Sequence, residues 1–104
     1  MGWKYFYQKL KIMNYKEKTE KLNELNTDSC IYLLDGFENA LIGYEYTFED
    51  TCRAVYDVDK CIEILMTRDG MSHQEAWEYF EYNTIGSINR KDNRYPLLIQ
   101  KFES

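Results

Sequence analysis

Two helices written back to back between residues 57 and 83, each with its own start and stop, constrain this 104-residue chain more than any other feature. Asp57 or Asp59 can accept from the free N–H groups of a helix start. Val58, Cys61, Ile62, Leu65 and Met66 then recur at three- and four-residue spacing, which lines one helix face with apolar side chains. Gly70 ends the pattern, because glycine takes the left-handed backbone of a C-terminal stop without a Cβ clash. Ser72 and Glu75 follow in the spacing of a capping box, which predicts a second helix to Asn83 with Ala76, Trp77 and Phe80 inward and Glu75, Glu78 and Glu81 facing water. Met71, just before the cap, is placed as a hydrophobic staple onto Ala76.

Upstream the period changes from helix to strand. Cys30 to Leu34 is a short apolar run stopped by Asp35 and Gly36, a turn pair. Ala40 to Phe48 alternates, with Ile42, Tyr44, Tyr46 and Phe48 on one face and Leu41, Gly43, Glu45 and Thr47 on the other. Glu49, Asp50 and Thr51 make a turn and Cys52 to Tyr56 returns, so that 30–56 is predicted as a three-stranded antiparallel meander. A last strand is expected from Leu97 to Phe102 after the lone Pro96, and a short one from Thr84 to Ile88. Residues 14–26 are strong helix formers with only a thin apolar stripe, Tyr15, Leu22 and Leu25, and predict a peripheral helix. Residues 1–13 are expected as an extension or arm, with Met13 a potential internal start. The fold expected is α+β: one domain over 1–104 with its core in 30–102, built as a small, mainly antiparallel sheet of three to five strands with two or three helices packed on one face.

Charge is distributed unevenly over this frame. From Asp28 to Glu81 there are thirteen Asp or Glu against Arg53, Lys60 and Arg68, a local charge of −10 in a chain whose net charge is −5. Residues 1–13 carry only Lys4, Lys9 and Lys11, and 84–104 carry Arg90, Lys91, Arg94 and Lys101 against Asp92 and Glu103. The acidic stretch is rich in aromatic residues and can fold around a core, unlike a disordered acidic tail. A folded carboxylate surface attracts a basic partner, and the ten tyrosines suit a protein-binding face as well as a thin core.

Several kinds of chemistry find no support. The helix pair superficially resembles a helix-turn-helix, but its second helix has three glutamates and no base to meet phosphate, so direct nucleic-acid binding is not expected. Cys30, Cys52 and Cys61 form no CxxC pair, and with His73 the single histidine they lack the close spacing of a zinc site; reduced thiols are expected, with Cys30 and Cys61 buried and Cys52 starting a strand. Asp35 with Glu38, or Asp57 with Asp59, could be imagined as acid and base, yet turns and helix starts explain these positions without catalysis. His73 follows the Ser72 cap at an exposed helix start. Gly36, Gly43, Gly70 and Gly86 are isolated and make no phosphate loop, and no EF-hand loop occurs. Neither a catalytic centre, nor a metal, nor a cofactor is expected. No apolar run is long enough to span a membrane, and MGWKYFYQKLKIM lacks the apolar core and cleavage site of a signal peptide, which points to the cytoplasm.

The segments DGFENALIGYEY (35–46) and YDVDKCIEILMTRDGMSHQEAWEYFEYNTIG (56–86) resemble a small domain found in many short, uncharacterised proteins encoded by bacteriophages and prophages. The matching pieces are Asp35, Gly36 and Phe37; Tyr56 and Asp57; Cys61, Ile62 and Leu65; and the run from Gly70, Met71 and Ser72 through Glu75, Ala76, Tyr79 and Phe80 to Asn83. They cover about half of the chain and leave out residues 1–13 and 87–104. The resemblance attaches no catalytic role. It implies a phage protein acting in the cytoplasm of a bacterial host, and makes an inhibitor of a host defence nuclease, of the anti-CRISPR kind, the leading expectation. Such an inhibitor would occupy a basic nucleic-acid channel as a mimic, through Asp35, Glu38, Glu45, Glu49, Asp50, Glu75, Glu78 and Glu81 with Tyr44, Tyr46 and Tyr82 as anchors. The alternatives are a phage assembly accessory that homodimerises through an aromatic face or edge strand, and a small carboxylate- or metal-dependent enzyme.

Overall fold

The computed structural model describes residues 14–25, 32–45, 53–91 and 94–102. The antiparallel strands β1 (Leu41–Glu45) and β2 (Arg53–Asp57) pair with Leu41 opposite Tyr56 and Glu45 opposite Arg53, and the register slips between Leu41 and Gly43. β3 (Leu97–Ile99) lies on the other side of β2 and runs parallel to it, Val55 beside Leu97 and Asp57 beside Ile99. A parallel neighbour needs a long crossover, and the two helices written between residues 57 and 83 supply it. The result is α+β, three helices and a three-stranded mixed sheet among the described residues.

The helix signals translate directly into structure. α2 (Val58–Asp69) starts on Asp57, whose carboxylate accepts from the amides of Asp59 and Lys60, and ends at Gly70 with φ 67°. Its Val58, Cys61, Ile62 and Leu65 are buried, whereas Met66 is exposed. α3 (His73–Tyr79) opens on the reciprocal Ser72 and Glu75 bonds of the predicted capping box. It runs on through a π turn (Phe80–Thr84) and a 3₁₀ turn (Ile85–Ser87), the amide of Ile85 reaching back to the carbonyls of Phe80 and Glu81. α1 (Tyr15–Leu25) begins with a similar exchange, Asn14 Oδ1 accepting from Glu17 at 2.8 Å and Glu17 Oε1 accepting from Asn14 at 3.4 Å. It is held to β1 by buried Leu22 and by Lys18 Nζ donating to the Leu41 carbonyl at 2.6 Å.

The core draws four side chains from α2 and one or two from each of α1, α3, β1, β2 and the turns beside them: Leu22, Phe37, Ala40, Leu41, Ala54, Tyr56, Val58, Cys61, Ile62, Leu65, Ala76 and Phe80, with Met71 and Trp77 packed against it. Alternation along β2 puts Ala54 and Tyr56 inside and leaves Arg53, Val55 and Asp57 half-buried. Phe80 meets Phe37 edge to face at 5.9 Å and Trp77 at 6.4 Å, which ties α3 to the turn before β1.

Four local expectations change. Residues 32–34 are not a strand: the Leu34 amide donates to Tyr56 Oη at 2.8 Å, so a side chain takes the place of a ladder partner and the meander is reduced to the β1–β2 hairpin among the described residues. Ala40 closes a 3₁₀ turn, Glu38–Ala40, and does not start the strand. The span from Thr84 to Ile88 is helical up to Ser87, because its amides are satisfied by the preceding turns. Strand pairing at the C-terminal end stops at Ile99, short of Phe102. Cys30, Cys52, Tyr46, Phe48, Glu49 and Asp50 lie outside the described residues. Among the described residues no helix is long and apolar enough to cross a membrane.

Candidate functional site

Position on α3 follows from helix geometry. Residues three, four and seven apart share a face, so Glu75, Glu78, Tyr79 and Tyr82 form a stripe opposite buried Ala76 and Phe80. With Met71 and Asn83 they line one shallow groove. Tyr82 is 83% exposed and Tyr79 42%, large rings held out into solvent on a helix whose inner face is fully packed. Between Gly70 and Asn89 there is no Lys or Arg.

The carboxylates on this stripe are oriented by hydrogen bonds from their own helix and its cap. Glu75 Oε1 accepts from the Ser72 amide at 3.0 Å, and that bond pulls its pKa below the ordinary 4.5. Glu78 Oε1 accepts from Gln74 Nε2 at 3.2 Å. Glu81 is exposed one turn further on but lines neither this groove nor the cleft next to it.

That neighbouring cleft lies on the other side of Tyr79 and Asn83, which line both, and it brings in Asp35, Phe37 and Arg68. Arg68 Nη1 donates to the Gly36 carbonyl at 2.7 Å, and Nε and Nη2 donate to the two oxygens of Asp69 at 3.0 and 2.9 Å. The two bonds to Asp69 raise the Arg68 pKa and lower that of Asp69, so the pair stays charged and mutually neutralised. Glu38 is half-buried and accepts from the Gly36 amide at 3.2 Å, closing the turn that carries Asp35. Gly36 has φ 86°, and a Cβ there would stand 2.9 Å from Arg68 Nη1, so the close approach of Arg68 requires glycine.

The remaining described candidates are elsewhere. Glu45 forms a two-point pair with Arg53 at 2.9 Å, directly across the β1–β2 hairpin, and Arg53 also stacks 4.8 Å from the Tyr95 ring. The Glu45 charge is therefore already matched. Tyr44 lines a mostly apolar groove between α1 and β1, edged by Lys18 and Lys21. Structure thus unites Asp35, Glu75, Glu78 and Tyr82 on one continuous surface, and adds Met71, Tyr79 and Asn83, which had no binding role in the sequence reading. Helical spacing from Glu75 was the signal that could have found Tyr79.

The buried nucleophiles face away from chemistry. Cys61 is fully buried, and burial with Asp57 nearby pushes its thiol up to about 12, far from thiolate reactivity at neutral pH. Tyr56 is likewise pushed up to about 12 by burial. His73 Nε2 accepts from Trp77 Nε1 at 3.2 Å, a bond that braces the first turn of α3. Among the described residues no three His, Cys, Asp or Glu converge as a metal site would require. No family model, no curated protein and no solved structure matches this chain.

Proposed function

We propose that this protein is a binding module that docks the acidic, tyrosine-bearing face of α3 onto a basic surface of another protein. The partner is a bacterial nucleic-acid-processing enzyme, and the outcome is inhibition of a defence nuclease of the CRISPR type by a phage-encoded protein. One observation carries the reading: the run from Gly70 to Asn89 has no cation, and its Glu75, Glu78, Tyr79 and Tyr82 stand along one outward stripe. Carboxylates steer the encounter with a positive channel, and tyrosines supply rigid contact area at low entropic cost. A groove built for nucleic acid offers the matching positive charge.

The test begins with capture of the partner from bacterial lysate, its identification by mass spectrometry, and measurement of association rates with the purified protein. Reversing Glu75 and Glu78 to Lys is expected to slow association on the order of tenfold at low salt, with the difference shrinking as salt rises. An unchanged association rate removes α3 from the interface. A second reading, an assembly protein that homodimerises, draws on β1 as an edge strand of the described sheet with Ile42 and Tyr44 exposed. It predicts a salt-insensitive dimer in sedimentation, and a monomer at micromolar concentration rejects it.

A further inference from the structure

The cleft beside α3 contains more hydrogen-bonding capacity than the protein itself uses. Thr84 lies in the π turn and is only 7% exposed, yet its hydroxyl finds no hydrogen-bond partner among the described residues; its backbone carbonyl accepts from Ser87 Oγ at 2.8 Å. The Asp35 carboxylate, the Tyr79 phenol and the Asn83 side-chain amide border the same cleft and are also without hydrogen-bond partners among the described residues. A buried hydroxyl left unsatisfied costs free energy that an incoming donor or acceptor recovers.

Charge decides which kind of ligand fits. The charged residues lining the cleft are Asp35 and Arg68, and Arg68 is already paired with Asp69, which leaves the Asp35 carboxylate as the unmatched charge. Arg68 cannot serve an anion well, because its Nη1 is bound to Gly36 and its Nε and Nη2 to Asp69. What remains is a set of acceptors: a carboxylate, an amide oxygen and two hydroxyls, beside an aromatic ring. A planar cation with several donors matches that set better than a point-charge ammonium.

We propose that this cleft, bounded by Asp35, Tyr79, Asn83 and Thr84, is a specificity pocket for an arginine side chain of the docking partner. The pocket rests on the docking role of α3, which surrounds it with negative potential and shares Tyr79 and Asn83 with it. Arginine inserted here bonds Asp35 and Asn83, offers a donor to the Thr84 hydroxyl and stacks against Tyr79. The long-range attraction of Glu75 and Glu78 accepts any cation; the cleft selects arginine.

The experiment titrates the isotope-labelled full chain with hexa-arginine and with hexa-lysine, peptides of equal charge, at low salt. Hexa-arginine is expected to bind on the order of tenfold more tightly, with shifts at the Asn83 side-chain amide and at the amides of Thr84 and Ser87. Thr84→Val, which keeps the buried shape, is expected to reduce hexa-arginine affinity toward the hexa-lysine value and leave hexa-lysine binding unchanged, and Asn83→Ala, at an exposed position, is expected to narrow the ratio between the two peptides. Equal affinity of the two peptides, or a preference that survives both substitutions, overturns the pocket and leaves the acidic face standing. Absence of binding by either peptide overturns both.

Discussion

Tyr56 shows how one side chain decides the fate of a neighbouring segment. Its ring is fully buried, and its hydroxyl accepts the Leu34 amide, so residues 32–34 dock on a side chain where a strand would have found a ladder. Tyr56→Phe leaves that amide without its partner and is expected to lower stability by about 1–3 kcal/mol in urea unfolding. The raised phenol also marks an alkaline limit: its contribution is complete below the ordinary value of 10.0 and is lost as pH rises toward about 12. Glu75 sets the opposite limb. Its folded pKa is depressed, so the capping-box contribution is present above 4.5 and lost as pH falls through the lower folded value. Glu75→Ala is therefore expected to destabilise at neutral pH, with the gap to the parent closing in acid, as thermal melts across pH 2–7 would record. The carboxylates themselves are plain in the sequence, but their availability is not. Glu45 is matched by Arg53 only because the hairpin register sets them opposite one another, whereas Glu81 stays unpaired among the described residues.

At the level of elements, the boundaries of α2 and α3 are legible because caps are local chemistry: Asp57, Gly70, Ser72 and Glu75 each satisfy backbone groups within five residues. Gly70 and Gly36 both have positive φ but differ in surroundings, and the difference is testable. A Cβ at Gly70 meets nothing within 4 Å, so Gly70→Ala is expected to cost only the left-handed conformation, about 1 kcal/mol, with Gly70→Asn milder. Gly36→Ala adds a collision with Arg68 Nη1 and the loss of its bond to the Gly36 carbonyl, and is expected to cost more than Gly70→Ala by urea midpoint. Equal costs would show that Arg68 moves aside freely. The apolar run before Asp35 and the span after Asn83 resemble strands in sequence because short apolar segments carry no period long enough to separate strand from coil or helix. Continuation of α3 through a π turn depends on carbonyls one turn back, which no local residue pattern announces.

For the whole molecule, Phe80 is the junction. It is fully buried and touches Phe37 on the turn before β1 and Trp77 on its own helix, so Phe80→Ala is expected to cost about 3–5 kcal/mol and to remove a large part of the cooperative transition in a chain this small. A milder loss would mean that the core recloses around the cavity. By itself the sequence determined the class, α+β, the two central helices with their ends, the hairpin strands β1 and β2 near their observed limits, and a −10 acidic stretch with no cation on its last helix. These are properties of neighbours along the chain: periodicity, capping and composition. Only tertiary structure decided that β3 joins β2 in parallel, that Glu45 is spent on Arg53, and that Asp35 meets Tyr79, Asn83 and Thr84 across a cleft. Those outcomes depend on which distant segments the shared core of Phe37, Tyr56, Leu65 and Phe80 draws together, and burial of apolar surface is non-directional, so it leaves no mark at fixed spacing for a reader of the sequence.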